Sequence, residues 1–327
     1  VLPTVVPSRD SAAEVARKSA LIRQLARERN AVILAHNYQR GEVQDVADLV
    51  GDSLGLSRAA AAMDNDVIVF CGVHFMAETA AILAPDKIVL LPTTEGGCSL
   101  ASSITADELR RTKAEYPGAV VVAYVNTSAE VKAESDYCCT SANAAQVVAS
   151  IPRERDILFV PDMFLAAVVA RQTGRDNIYA YPGYCHVHRM IEPEQVLALL
   201  ADRPELDLLL HPECGCASSC MDRALEGTLP ADRMHFMSTE GMVRHIRESA
   251  RDTFAIGTEV GILHRLRKSC PGNEFVAVNN EAVCAFMKTV TLDTIISSLR
   301  TMEPRISVDP PLAQAARRAV DRMLAVT

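Results

Sequence analysis

AVILAHNYQ, residues 31–39, is a run of five apolar residues that stops abruptly at HNYQ. A continuous apolar run of this length between helical patterns reads as a strand buried on both faces, the mark of a parallel sheet. The polar residues directly after it then lie at the strand's C-terminal end, where open α/β sheets bind ligands. Two further stretches share the layout: AVVVA at 119–123 runs into YVNT, and DLLL at 207–210 runs into HPEC. The first residues after the three runs, His36, Tyr124 and His211, are 88 and 87 residues apart. A period of that size is a domain-sized repeat.

The repeat continues inside each unit. Ser53 and Ser141 each open a helical pattern 17 residues past their anchor, and Ser238 and Thr239 follow the third anchor by 27 and 28. The third unit therefore carries about ten or eleven extra residues. Second apolar runs follow (VIVF at 67–70, ILFV at 157–160, FAI at 254–256), then third runs (KIVLL at 87–91, NIYA at 177–180, FVAV at 275–278). Each unit reads as βαβαβ. The predicted fold class is α/β: three pseudo-symmetric αβα sandwich domains, each with a short parallel sheet, around a central site. Their expected limits are 1–104 with an N-terminal helix, 105–190, 191–290 with a Cys-containing insertion, and 291–327 as C-terminal helices packing on the core. Ser11 and Glu14 have capping-box spacing at the first helix. Leu312, Ala316, Ala319 and Met323 share a face of the last.

Three cysteines fall on the same grid. Cys98 lies 62 residues past His36, Cys185 lies 61 past Tyr124, and Cys284 lies 73 past His211. Removing the eleven-residue insertion, inferred from Thr239 alone, brings the last spacing to 62. The repeat thus predicts three thiols converging at the junction of the units. Ten cysteines in a chain without a secretion signal point to metal or redox chemistry, although any one of them alone reads as a small buried hydrophobe. Structural zinc takes four protein ligands, and a catalytic zinc held by three cysteines is unusual. Iron–sulfur clusters normally take four cysteines. A cubane held by three leaves one iron open to substrate oxygens, a Lewis-acid arrangement.

The polar residues in register suit an anionic ligand. Ser53, Ser141 and Ser238/Thr239 read as helix N-caps, whose free N–H groups and positive dipole ends attract anions. Two positions past the anchors stand Tyr38, Asn126 and Glu213, of which Glu213, beside His211, is the strongest general-base candidate. His188, three residues past Cys185, reads either as a substrate-orienting or proton-donating group or as an ordinary loop histidine. His186 acquires no role.

Composition narrows the partners. The chain of 327 residues is 49% hydrophobic with a formal charge of -8 and no Lys/Arg-rich block, which argues against nucleic acid or anionic membranes as partners. The longest apolar run, residues 163–170, falls far short of the roughly 18–20 residues of a spanning helix. VLPTVVPSRD, residues 1–10, lacks the basic and apolar regions of a signal peptide. A soluble, cytoplasmic monomer or homodimer is expected.

Taken in order, the motifs resemble those of the quinolinate synthase family, the iron–sulfur enzymes of de novo NAD biosynthesis. The resemblance runs through HNYQ (36–39), GDSLGLS (51–57), GGCSLAS (96–102), YVNT (124–127), CTSANA (139–144), GYCHVH (183–188), HPEC (211–214), STEGM (238–242), TEVGILHRL (258–266) and CAFMKTVTL (284–292). Each piece is moderately specific; their order and spacing are highly so. The resemblance implies three αβα domains around a [4Fe-4S] cluster with Cys98, Cys185 and Cys284 as ligands and one open iron. It implies a transferase that condenses iminoaspartate, supplied by an L-aspartate oxidase, with dihydroxyacetone phosphate to give quinolinate, phosphate and water. Substrate positions implied are His36, Tyr38, Ser53, Tyr124, Asn126, Ser141, His188, His211, Glu213, Ser238 and Thr239, with Glu213, Tyr38, His188 and Tyr124 as the catalytic set. The competing readings are a [4Fe-4S] hydro-lyase acting on another small hydroxy acid and a non-catalytic iron–sulfur carrier or sensor.

One stretch departs from the family pattern. CGCASSC, residues 214–220, places Cys214, Cys216 and Cys220 in the insertion and reads as a redox-sensitive thiol pair or an inert loop. Cys71, Cys138 and Cys139 are expected at helix starts, and Cys270 on a turn before Pro271.

Overall fold

Each of the three apolar runs is an inner strand of its own sheet in the computed structural model, which describes residues 2–5 and 10–326. The first sheet contains β1 Ala31–His36, β2 Leu49–Gly51, β3 Val67–Cys71 and β4 Ile88–Leu90. The second contains β5 Val120–Tyr124, β6 Tyr137–Cys139, β7 Ile157–Val160 and β8 Ile178–Ala180. The third contains β9 Asp207–Leu210, β10 Met234–Phe236, β11 Thr253–Gly257 and β12 Glu274–Ala277. All pairings among these twelve strands are parallel, and the orders β2-β1-β3-β4, β6-β5-β7-β8 and β10-β9-β11-β12 are the same order three times. The chain is an α/β protein of three αβα sandwiches.

Two features correct the βαβαβ reading. The strands β2, β6 and β10 precede the Ser-led segments and add an edge to every sheet. Each spans three residues and pairs on one side only, so it needs no long apolar run and leaves no such signal. The C-terminal stretch is not helical throughout: β13 Arg305–Ile306 pairs antiparallel with β4 and widens the first sheet.

Burial follows the strand logic. All six residues of β1 are buried, as are all of β3, β5, β7 and β9, because helices cover both faces. Each fully buried Val, Leu or Ile there stabilises the fold by about 1.5–3 kcal/mol, so the inner strands hold the scaffold rigidly. Ser11 caps the helix Ala12–Glu28 with the reciprocal Glu14 bond that the spacing predicts. The helix Pro310–Ala325 buries Ala316, Ala319, Val320 and Met323, with Leu312 half-buried on the same packing face. Among the described residues no helix is long and apolar enough to cross a membrane.

The insertion is not a loop. Residues Ala217–Leu225 form a helix whose Cys220 is fully buried, together with Cys216 and Cys214, against Leu206, Leu208 and Leu210. The apolar side of the third sheet takes these thiols as small hydrophobes. Cys71 lies in β3, and Cys138 and Cys139 lie in β6, instead of at helix starts. Cys270 is the C-cap of the helix Ile262–Ser269.

Candidate active site

Residues at the C-terminal ends of β1, β5 and β9 line one pocket with a cavity volume of about 60 Å³. The repeat register is written on its wall. The anchors His36, Tyr124 and His211 line it, as do Tyr38, Asn126 and Glu213 two positions on. Ser53, Ser141 and Thr239 line it from the segments that follow. Cys98, Cys185 and Cys284, from the loops after β4, β8 and β12, complete the set.

Local structure explains how the thiols reach this point. Gly183 sits where an added Cβ would lie 2.5 Å from the Pro161 carbonyl oxygen and from Ser103 Oγ, so only glycine lets the chain pass close enough to deliver Cys185. The Gly183 carbonyl accepts the Met163 N–H at 2.9 Å and pins the loop to β7's end. Glu259 holds the third cysteine: its Oε1 accepts the Cys284 N–H at 3.0 Å and faces Lys288 Nζ at 2.9 Å. Lys288 also donates to the Tyr38 carbonyl, which ties this loop to the first unit.

The capping residues differ from those expected. Asp52, one residue before Ser53, caps the helix Ser53–Ala62 by accepting the Gly55 N–H at 2.8 Å. In the second unit Asn143 Oδ1 accepts the Thr140 N–H at 2.9 Å and Thr140 Oγ1 accepts the Ala142 N–H at 3.2 Å. These side-chain bonds make a turn that competes with helix, which starts only at Ala144. Ser238 is a true N-cap, accepting the Gly241 N–H at 3.3 Å, and it does not line the pocket. Asp52, Thr140 and Ser238 take the capping register. Ser53, Ser141 and Thr239, one residue later, face the pocket.

Glu213 is the hub of the polar network. The Tyr124 hydroxyl donates to Glu213 Oε1, His211 Nδ1 stands 3.4 Å from the same oxygen, and His188 Nε2 stands 4.0 Å from Oε2. The rings of His188 and His211 stack with centroids 4.8 Å apart. Ser141 Oγ lies 3.0 Å from His211 Nε2, and Cys214 Sγ lies 3.3 Å from His188 Nδ1. The Tyr38 hydroxyl lies 2.5 Å from Thr258 Oγ1. Asn37 donates to Thr239 Oγ1 at 2.7 Å and accepts from Arg265 at 2.6 Å. These bonds cross between units, so the wall is held by all three sheets.

Burial governs protonation here. Desolvation, followed by repulsion from Asp162, raises the Glu213 carboxyl well above its ordinary range. Burial pushes His36 and His188 down to about 3 and lowers His211 well below its ordinary range, so all three rings are neutral at physiological pH. Burial also raises Tyr38 and Tyr124, with the charge of Glu213 adding to both.

His36 gives a signed prediction. The unfolded chain takes up a proton at His36 below about pH 6.5, while the folded chain resists until about pH 3. Stability therefore falls as pH drops through this window. His36→Gln removes the titrating ring and the 3.2 Å bond from the Tyr38 N–H. Its Tm is expected below the parent's at pH 7.5, with a gap that narrows by pH 4.5. Melting curves across the window check this, and a widening gap would refute it.

The thiols are desolvated as well. Burial raises Cys98 to about 11 and Cys284 to about 12, and raises Cys185 well above its usual range, where Glu213, Cys98 and Cys284 add repulsion. Among the described residues, no Lys or Arg lines this pocket. Three thiols that repel one another as thiolates, without a lining cation, form a soft donor set that a cationic iron–sulfur cluster would satisfy. Cys185, His188 and Glu213 also each offer an atom within 4.8 Å of the other two, so a single Cys/His/carboxylate-bound cation is the competing occupant.

Several residues in or beside the pocket lie outside the predicted set. Glu259 and Asp162 each stand two residues past a second strand, at ends of β11 and β7 to which the register argument was not applied. Asp162 caps the helix Met163–Thr173 through Leu165 N–H at 2.8 Å, and its Oδ2 has no partner. His186, to which no role was assigned, lines the pocket with its Nδ1 2.6 Å from Ser99 Oγ.

Comparison with known proteins agrees with this geometry. Residues 20–325 match the family model described as quinolinate synthetase A protein. A quinolinate synthase of Mycobacterium sp. (strain KMS) is 53% identical over 322 residues, covering 98% of this chain and 94% of its own length. Those of Mycobacterium tuberculosis (strain ATCC 25618 / H37Rv) and Mycolicibacterium paratuberculosis (strain ATCC BAA-968 / K-10) are 51% and 50% identical, each covering 95% of this chain and 89% of their own lengths. With nearly the whole chain matched and the motif residues gathered in one pocket, the protein belongs to the quinolinate synthase family.

Proposed function

We propose that this chain condenses iminoaspartate with dihydroxyacetone phosphate to give quinolinate, phosphate and two waters, as a transferase of NAD biosynthesis that draws its imine from an L-aspartate oxidase. The observation that carries the reading is the threefold set of cysteines facing the same pocket as three threefold sets of polar residues. Cys98, Cys185 and Cys284 would hold a [4Fe-4S] cluster. Held by three cysteines, such a cluster supplies a Lewis-acidic iron for a substrate oxygen.

The chain's own groups meet the remaining demands. Two carboxylates and a phosphate are three anionic groups, and with no Lys or Arg among the described lining residues they are held by neutral donors. Ser53 and Thr239 begin regular helices whose N-termini favour anions, while Ser141 and His211 form a hydrogen-bonded pair in the second and third units. The Asn126 amide oxygen is buried without a protein partner and accepts an N–H from the imine-bearing substrate. Glu213 moves protons during carbon–carbon bond formation and dehydration. Burial raises its pKa above that of an ordinary carboxyl, which makes its ionised form the stronger base. Tyr124 donates to Glu213 and passes on or restores that proton. Tyr38 and the neutral His188 stand on the same wall as further donors, their rings 5.9 Å apart.

The test is direct. Anaerobically purified protein should contain iron and sulfide in cubane proportion and convert iminoaspartate and dihydroxyacetone phosphate to quinolinate. Zinc in place of iron and sulfide, or loaded protein that makes no quinolinate and shows no substrate-induced spectral change, would overturn the proposal.

A further inference from the structure

A second cluster of ligating side chains lies at the far end of the third sheet. Asp207 is the first residue of β9 and His211 the first after it, so at about 3.3 Å per residue the strand separates the two clusters by roughly 13 Å. Side chains alternate along a strand, which puts Asp207 on the same face as Leu209. His235 in β10 is the registered neighbour of Leu209. The helix Thr239–Glu248 packs Met242, Val243 and Ile246 against Leu209 and contributes His245.

The geometry matches a metal site. His245 Nε2 is 3.0 Å from Asp207 Oδ2, and His235 Nε2 is 3.3 Å from Oδ1. One ligand atom from each residue lies within 4.8 Å of the other two, and the imidazole centroids are 4.1 Å apart. Tetrahedral zinc with bonds of about 2.0–2.1 Å to N and O sets its donors roughly 3.3 Å from one another. Asp207 is 2% exposed, while both histidine side chains are 25% exposed and leave an entry path from solvent. None of the three lines the pocket described above.

We propose that Asp207, His235 and His245 bind a divalent transition cation, Zn²⁺, with water completing the coordination. The ion joins β9, β10 and the helix that begins at Thr239. Two imidazoles and a carboxylate are a borderline donor set suited to Zn²⁺ and disfavoured by Mg²⁺ or Ca²⁺. The site has a built-in competitor. Arg251 Nε stands 3.4 Å from Asp207 Oδ1, and its Nη2 faces the exposed Asp232 at 3.8 Å, so this exposed side chain has a second partner when a metal takes its place.

The competitor makes the test decisive. Co²⁺ is titrated as a spectroscopic probe into the full-length, iron–sulfur-loaded protein under anaerobic conditions, with Zn²⁺ then added in competition. One equivalent is expected to bind with ligand-field bands free of sulfur-to-cobalt charge transfer, and Zn²⁺ is expected to displace it. His235→Gln and His245→Gln should each weaken binding at least about tenfold, since even outer-shell losses cost that much. Arg251→Gln, an exposed change that keeps the measurement open should the histidine variants fold poorly, should tighten binding several-fold. Absence of saturable binding, a thiolate charge-transfer signature, unchanged affinity in folded histidine variants, or no tightening in Arg251→Gln would overturn the proposal.

Discussion

Glu213→Gln is expected to lower quinolinate formation about 10²–10⁴-fold while leaving the visible absorbance of the iron–sulfur chromophore unchanged. The substitution is nearly isosteric, and the amide oxygen still accepts from the Tyr124 hydroxyl, so the wall keeps its shape. What it removes is a titratable proton at the point where Tyr124, His211 and His188 converge. No neighbour replaces it as the base, because burial weakens both histidines as proton acceptors and keeps both tyrosines in their protonated, donor form. Anaerobic turnover paired with the absorption spectrum separates the outcomes. Activity retained within tenfold of the parent would remove Glu213 from proton transfer.

Cys185→Ser is expected to abolish both the chromophore and turnover. A serine oxygen is a hard, poor ligand for a soft-donor site, and among the described residues only the Cys98 and Cys284 thiols would still line the pocket. Cys220→Ala is the matched control. Cys220 is packed under the third sheet with Leu208 and Leu210 and does not line the pocket, so its loss should leave iron and sulfide content intact. Iron and sulfide analysis of both variants decides the point. A full complement in Cys185→Ser, or its loss in folded Cys220→Ala, would reassign the ligands.

The repeat was legible because it is written in what strands and their ends require. Inner parallel strands are buried on both faces and so appear as apolar runs, and the residues that end them face ligand and appear as abrupt polar stops. That logic placed His36, Tyr124 and His211 on one wall from spacing alone, and carried Cys98, Cys185 and Cys284 to the same pocket. It passed over β2, β6 and β10, which pair on one side only. It also set the caps one residue late, since Ser53 and Ser141 look like caps in isolation. The carboxylate of Asp52 and the Thr140–Asn143 turn claim the N–H groups first. The insertion looked like a loop because small and polar residues dominate ASS at 217–219, yet Cys220 finds apolar neighbours and the segment is helical.

By itself the sequence determined the α/β class, the threefold repeat, the family and the register of the residues that face the pocket. These depend on periodicity and spacing, which a linear chain displays openly. Tertiary structure alone decided which carboxylates act together. Glu259 reaches Cys284 N–H and Lys288, Tyr124 of one unit reaches Glu213 of another, and Asp207 gathers two histidines from 28 and 38 residues away. Such pairs are set by how three sheets pack and by the desolvation that packing imposes, and neither leaves a period in the chain.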